Sequence, residues 1–195
     1  MPFTLTGPCE FREEIRKSRF ITLAAPIDTA ADAQAFIEQH SDLDATHNCW
    51  AWKLGAQYRS NDDGEPGGTA GRPILAAIDA QDFDRVVVLV SRWYGGIQLG
   101  TGGLARAYGG GANKCLQQAD RVPLVNRVSL QFDCSFNELV LIKLRVAELN
   151  GLVEDERFNA NGVTLSIALG PEQIGTLQRQ VSDISRGRIV LQPLQ

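Results

Sequence analysis

Eight glycines fall within the twenty-three residues RWYGGIQLGTGGLARAYGGGANK, Arg92 to Lys114. Glycine loses more backbone entropy on folding than any other residue, so so dense a cluster needs a geometric reason. Either the chain turns repeatedly through positive φ, or something approaches the main chain closely. The aliphatic run Val86 to Leu89 leads into the segment, and a helix-compatible stretch follows from Ala105. A buried strand, a tight loop and a helix are therefore expected in that order. Bare N–H groups beside a helix start, with arginines nearby, make an anion site. A tight strand-to-helix turn held only by packing is the alternative.

The 195 residues carry a net charge of −4 and are 44% hydrophobic. That size suits one large or two small domains. An acidic chain does not coat duplex DNA by charge alone, so no duplex DNA partner is expected. Residues 85–119 nevertheless hold Arg85, Arg92, Arg106 and Lys114 and no acid. A basic island of this kind suits a phosphate or an acidic protein surface. The four cysteines, at positions 9, 49, 115 and 134, form no C-x-x-C pair and fit no common zinc spacing. No metal and no cofactor are expected. The opening MPFTLTGPCEFREE has no apolar core like that of a signal peptide, and no run reaches membrane-span length. A soluble cytoplasmic protein with no membrane partner is expected.

Two strands around Arg16–Ser18 are expected over residues 9–25, then a helix capped by Asp28 or Thr29 and running to about His40. THNCWAWKL, Thr46 to Leu54, reads as a strand, with positions 47, 49 and 51 on one face and 48, 50 and 52 on the other. Gly55 to Gly71 is polar and turn-rich and reads as a long connector. A helix with proline in its first turn follows from Arg72-Pro73. The strand Arg85–Trp93, the glycine loop and a helix from about Gly103 to Ala119 complete residues 1–121, with RVPLV (121–125) as a linker. Residues 122–195 then read strand, helix, strand, strand, helix, strand, with Asn161-Gly162 as a hairpin signal. The fold class is α+β in two domains, the second a ferredoxin-like βαββαβ sandwich.

Four groups of residues carry candidate chemistry. In the glycine loop, the amides of Gly95, Gly96, Gly100, Gly102 and Gly103 would cradle an anion between Arg92 and Arg106, and Tyr94 and Tyr108 would stack on a base or sugar. No G-K-[ST] element and no dinucleotide fingerprint is present. In NDDGEPGG, the carboxylates of Asp62, Asp63 and Glu65 suit a metal, acid–base work, a ligand contact or a plain turn, and Arg72 lies near enough to pair with one of them. His47 and Cys49 share a strand face, as a dyad or metal pair would require, yet no third partner is evident, which favours a structural or site-edge histidine. Arg12, Arg16, Lys17 and Arg19 read as a solvated strand face or a nucleic-acid contact.

The blocks EEIRKSRFI, ATHNCWAW, NDDGEPGGTAGRPIL and RWYGGIQLGTGGLARAYGGG together resemble the IMPACT family, in its bacterial branch, over nearly the whole chain. The resemblance implies an N-terminal α/β domain similar to one found in ribosomal proteins and elongation factor G. It implies a C-terminal domain like the ferredoxin-like final domain of that factor. Eukaryotic relatives restrain a stress-activated kinase of translation initiation by competing for its activator. A translation-linked binding protein is therefore expected, its partner RNA, a nucleotide, the ribosome or a translation factor. The alternative is an enzyme acting on a phosphorylated small molecule, with His47, Asp62, Asp63 or Glu65 as its catalytic groups. No complete catalytic set can be assembled from the residues.

Overall fold

Alternating burial along Ser18–Pro26 and unbroken burial along Val86–Ser91 make these two strands the centre of a sheet covered on both faces. The computed structural model describes residues 2–193. Its chain divides into two compact units, Met1–Leu124 and Val125–Gln195.

In the first unit, β1 (Phe3–Leu5) precedes β2 (Cys9–Ile15) and β3 (Ser18–Pro26). Arg16 and Lys17 turn β2 into β3 with φ of 45° and 66°, the paired positive values of a two-residue hairpin. Helix α1 (Ala30–His40) starts in a capping box: Thr29 Oγ1 accepts from Asp32 N, and Asp32 accepts from Thr29 N. β4 (His47–Leu54) and β5 (Gln57–Asn61) follow, then α2 (Gly71–Ala80), β6 (Val86–Trp93), α3 (Gly100–Gln118) and β7 (Arg121–Pro123). The main sheet has the order β2-β3-β6-β4-β5, antiparallel at every pairing.

Val86, Val88 and Val90 pack with α2 and α3 on one face, while Val87, Trp52 and Ala25 pack with Ala33 and Ile37 of α1 on the other. Small residues let α3 lie close to its neighbours. A Cβ on Gly109 would sit 3.3 Å from Pro73 O, and one on Gly111 would sit 3.0 Å from Thr22 Oγ1.

Two expectations change. The supposed connector from Gly55 contains β5, which pairs with β4 after a turn at Gly55, φ 61°. Every residue of β5 is exposed, so no apolar alternation marks it. The supposed linker at 121–125 includes β7, which pairs with β1 and so ties the two ends of the first unit together.

The second unit runs β8 (Val128–Cys134), α4 (Phe136–Glu148), β9 (Leu152–Asn159), β10 (Gly162–Leu169), a 3₁₀ turn (Pro171–Gln173), α5 (Ile174–Ser185) and β11 (Gln192–Pro193). Its antiparallel sheet has the order β11-β8-β10-β9. Asn159 Oδ1 accepts from the amides of Asn161 and Gly162 and closes the β9–β10 hairpin. Leu130, Ile142, Val146, Leu165, Ile167, Leu177 and Val181 fill the core between the sheet and the two helices. The chain is thus a mixed α+β protein. Among the described residues no helix is long and apolar enough to cross a membrane.

Candidate functional site

Register sets the floor of the site. Phe20 of β3, Arg92 of β6 and His47 of β4 are cross-strand partners in one row, on the face that carries α2 and α3. The loop from Asp62 to Gly68 folds over this row and brings Glu65 onto Arg92. Arg92 Nη1 donates to Glu65 Oε1 at 2.7 Å, and Tyr108 OH, from α3, donates to the same oxygen at 2.6 Å. Arg92 Nη2 reaches Ser18 Oγ at 3.3 Å. Arg92 is 5% exposed and Glu65 8%. Both of these hydrogen bonds fall on Oε1; among the described residues Glu65 Oε2 makes none, and His47 Nε2 stands 3.8 Å from it. Arg92 Nε is buried with no hydrogen-bond partner among the described residues.

The loop is held by its own acids. Asp62 accepts from the amides of Gly68, Ala70 and Gly71 at 2.8, 3.1 and 2.8 Å, which fixes the start of α2. Partial burial pulls the Asp62 carboxyl up, but those three amides and the Arg72 charge outweigh it and hold it below its ordinary value. Asp63 accepts from Asn48 N at 2.6 Å, and its carbonyl lies 2.7 Å from His47 Nδ1. A carbonyl only accepts, so that contact puts the proton on Nδ1 and leaves Nε2 as the basic nitrogen. Cys49 donates to Asp62 O at 3.0 Å, and burial pushes its thiol up to about 12. A nucleophilic His47–Cys49 dyad is thereby ruled against, since a protonated thiol is a poor nucleophile.

A cavity of about 440 Å³ opens above the row, lined by Thr46, His47, Glu65 and Arg92 on one side and by Gln98, Leu99, Gly100, Thr101 and Leu104 on the other. Tyr94 and Pro66 complete its rim. This volume lies in the range of small-molecule pockets. Helix α3 begins here. Leu99 is its N-cap, no side chain caps it, and no acid lies in its first turn. The first four amides of a helix have no partner within it, and they carry the positive end of its dipole. Glu65 of the acidic loop and Gly100 of the glycine loop therefore share one cavity, which sequence alone left open.

Several expected roles are corrected. Tyr108 is fully buried against Phe20, ring centroids 5.4 Å apart, and cannot stack on a base. Burial, then the neighbouring Cys49 and Glu65, push its phenol far up. Arg92 is no free clamp, because its charge is neutralised by Glu65. Gly95 is a packing glycine: its Cβ would lie 1.8 Å from Lys17 O. Its amide points to Ser18 Oγ at 3.4 Å. Gly96 and Gly100 take φ of 88° and 75° and shape the loop, and Gly100 also lines the cavity. Gly102 is exposed in the first turn of α3. The basic island is largely paired with acids, though only Arg92 is buried: Arg85 pairs with Asp28 at 3.8 Å, Arg92 with Glu65 and Lys114 with Glu13 at 2.6 Å. Arg106 is exposed, and with Gly103 and Arg16 it lines a second, smaller cavity of about 230 Å³. Arg72 is exposed on α2 and lines neither cavity. The residue-by-residue reading missed Ser18, Thr46, Gln98, Leu99 and Thr101. A helix start placed at Gly100 rather than Gly103 is the signal that finds the last two.

The family model described as the Impact N-terminal domain matches residues 16–116, the stretch that builds this cavity, and a model for a domain of unknown function matches 132–188. An IMPACT family member of Thermus thermophilus is 42% identical over 178 residues, covering 90% of this chain and 97% of its own. IMPACT family member YigZ of Escherichia coli is 37% identical over 192 residues, 95% of this chain and 94% of its own. Protein IMPACT of Xenopus laevis is 34% identical over 95 residues, 44% of this chain and 30% of its own. A crystal structure of an hypothetical protein superposes with a TM-score of 0.68 at 36% identity, covering 99% of this chain and 97% of that one. With a family model over half of its length and relatives of matching length and fold, the chain belongs to the IMPACT family.

Proposed function

We propose that the chain is a translation-linked binding protein. Its cavity takes a ligand that carries an anion beside a hydrogen-bond donor, as a phosphate stands beside a ribose hydroxyl in RNA or a nucleotide. The observation that carries this reading is the uncapped, acid-free start of α3 opening into a cavity lined by Arg92, whose buried Nε has no partner. Helix amides attract the anion. Glu65 Oε2, which makes no hydrogen bond among the described residues, asks for a donor rather than a second anion. Tyr94, 46% exposed on the rim, is the aromatic left to stack. The translation theme rests on kinship with eukaryotic IMPACT proteins. It is supported by two likenesses implied by sequence: of the first unit to a domain of ribosomal proteins and elongation factor G, and of the second to the ferredoxin-like end of that factor. RNA on the ribosome or on a translation factor is the partner this reading favours.

Thr101→Asp tests it. The substitution places an acid in the first turn of α3, where it favours the helix and opposes an anion. Fluorescence polarisation with labelled short RNA oligomers and with AMP, at low and high salt, is expected to show binding that weakens with salt and disappears in the variant. Equal binding by both proteins, or none by wild type at low salt, rejects the reading.

One observation favours a second reading, an enzyme acting on a phosphorylated small molecule. His47, its Nδ1 committed to Asp63 O, lines the cavity with Nε2 free to move a proton. Turnover in a screen of phosphorylated metabolites, lost in His47→Gln, would replace the first reading with this one.

A further inference from the structure

Cys9 opens β2 at the edge of the main sheet, and Cys115 lies in the last turns of α3. Both are free thiols, 106 positions apart in sequence, yet their sulfurs stand 3.3 Å from each other. Nothing else in the contact asks for two sulfurs. Thr22 O accepts weakly from Cys115 at 3.9 Å, and Cys115 O from Cys9 at 3.8 Å. The two differ in access. Cys115 is fully buried, whereas Cys9 is half-buried and lines a surface cavity of about 460 Å³ with Thr6, Gly7, Pro8, Gln118 and Asp120. A small oxidant therefore meets Cys9 first and finds Cys115 behind it.

We propose that Cys9 and Cys115 are a modification site, a dithiol that peroxide converts reversibly to a disulfide. The Cys9 thiolate attacks one oxygen of hydrogen peroxide. The O–O bond breaks, the hydroxide released takes up a proton and leaves as water, and Cys9 becomes a sulfenic acid. Cys115 Sγ then attacks Cys9 Sγ; the S–S bond forms as the S–O bond breaks, and the departing hydroxide leaves as water with the Cys115 proton. In sum, two thiols and one peroxide give one disulfide and two waters, and a dithiol reductant reverses the change. The Cys115 thiol, by hydrogen bonding to Cys9, lowers the Cys9 pKa and favours the thiolate that begins the sequence. Cys49 and Cys134 are buried, both thiols pushed up chiefly by burial; Cys115 is pushed up too, first by its hydrogen bond to Cys9 and then by burial, so its 3.3 Å contact with Cys9, and not its acidity, singles it out. The new bond would fasten the edge strand to the far end of the helix whose first turn lines the candidate cavity. It would also close a long loop in the unfolded chain.

The test uses the full wild-type chain. Graded hydrogen peroxide is expected to remove two of the four thiols, yield a Cys9–Cys115 peptide on digestion under non-reducing conditions, and raise the urea midpoint of tryptophan fluorescence until dithiothreitol reverses it. In Cys115→Ser, Cys9 is expected to stop at a sulfenic acid that dimedone traps. The proposal is overturned if wild-type Cys9 goes to sulfinic acid or forms links between chains while Cys115 stays reduced, or if Cys49 or Cys134 reacts first. The peptide map decides the question even should the variant fail to fold, and its outcome is independent of RNA binding.

Discussion

Removing Arg92 measures the electrostatic arrangement beneath the cavity. In Arg92→Met the volume and the apolar contact with Phe20 are largely retained, but Glu65 keeps its charge with no guanidinium against it. The pair is 2.7 Å apart, and both residues are more than nine-tenths buried, so solvent screens it weakly. Breaking a buried pair from one side costs about 3–5 kcal/mol. All three tryptophans, at positions 50, 52 and 93, lie in the first unit, so urea unfolding followed by their fluorescence reports on that unit. With a slope of about 2 kcal/mol per molar urea, the midpoint should fall by roughly 2 M. Glu65→Gln alone should cost a similar amount, because it strands the guanidinium. The double variant should cost less than the two together by about 2 kcal/mol or more, since neither charge is then left alone. Costs that add to within about 0.5 kcal/mol, or an Arg92→Met cost below about 1 kcal/mol, would show that the pair is solvated and that the buried floor described above is wrong.

Gly95→Ala should destabilise the first unit by more than about 3 kcal/mol, because its methyl meets backbone, whereas Gly96→Ala, strained in φ but open in space, should cost about 1 kcal/mol; equal urea midpoints would refute the close approach to Lys17. Tyr108→Phe removes one donor from Glu65 and should cost about 1.5–3 kcal/mol by the same assay. Asp62→Ala frees three amides at the start of α2 and should cost about 1–2 kcal/mol near neutral pH. Because the folded Asp62 carboxyl sits below its ordinary 3.8, this contribution is present above that value and is lost as pH falls below it. A wild-type-minus-variant difference that grows on acidification would contradict the capping role.

Patterns that belong to one element were legible in the chain. The buried run of β6, the alternation of β4 that puts Cys49 and Ala51 on one face and Trp50 and Trp52 on the other, and a helix start at Asp28 or Thr29, of which Thr29 is the cap, each follow from neighbouring residues. The elements that escaped depend on partners far away. β5 has no buried side chain and exists because β4 offers it a ladder, and β7 exists because β1, over a hundred residues earlier, pairs with it. Edge strands of this kind carry their information in the partner's backbone.

The same division explains the site. Charge counting found four cations in a row of acid-free sequence and took them as free, but the acids that neutralise three of them come from Asp28, Glu65 and Glu13, on other segments. Glu65 was singled out only as one of three carboxylates in a turn-rich loop. The turn that runs from Asp62 through Asp63 and Gly64, at φ of 39° and 83° for the last two, delivers it instead into the sheet face beside Arg92. What sequence reading did capture is the absence that matters: from Ser91 to Ala119 no acid occurs, so nothing local quenches the first turn of α3. Buried Glu65 then has a purpose that an exposed acid would not. It offsets the Arg92 charge within the fold, so under the binding function proposed above an anion would be drawn by oriented amides rather than by a net charge. The same proposal would leave specificity to the geometry of Glu65 Oε2, His47 Nε2 and the α3 amides. On this argument Thr101→Asp, which opposes those amides without touching the buried pair, should abolish ligand binding while leaving the urea midpoint within about 0.25 M of wild type, a change of some 0.5 kcal/mol; a large loss of stability would mean that the first turn of α3 is held by contacts this account omits.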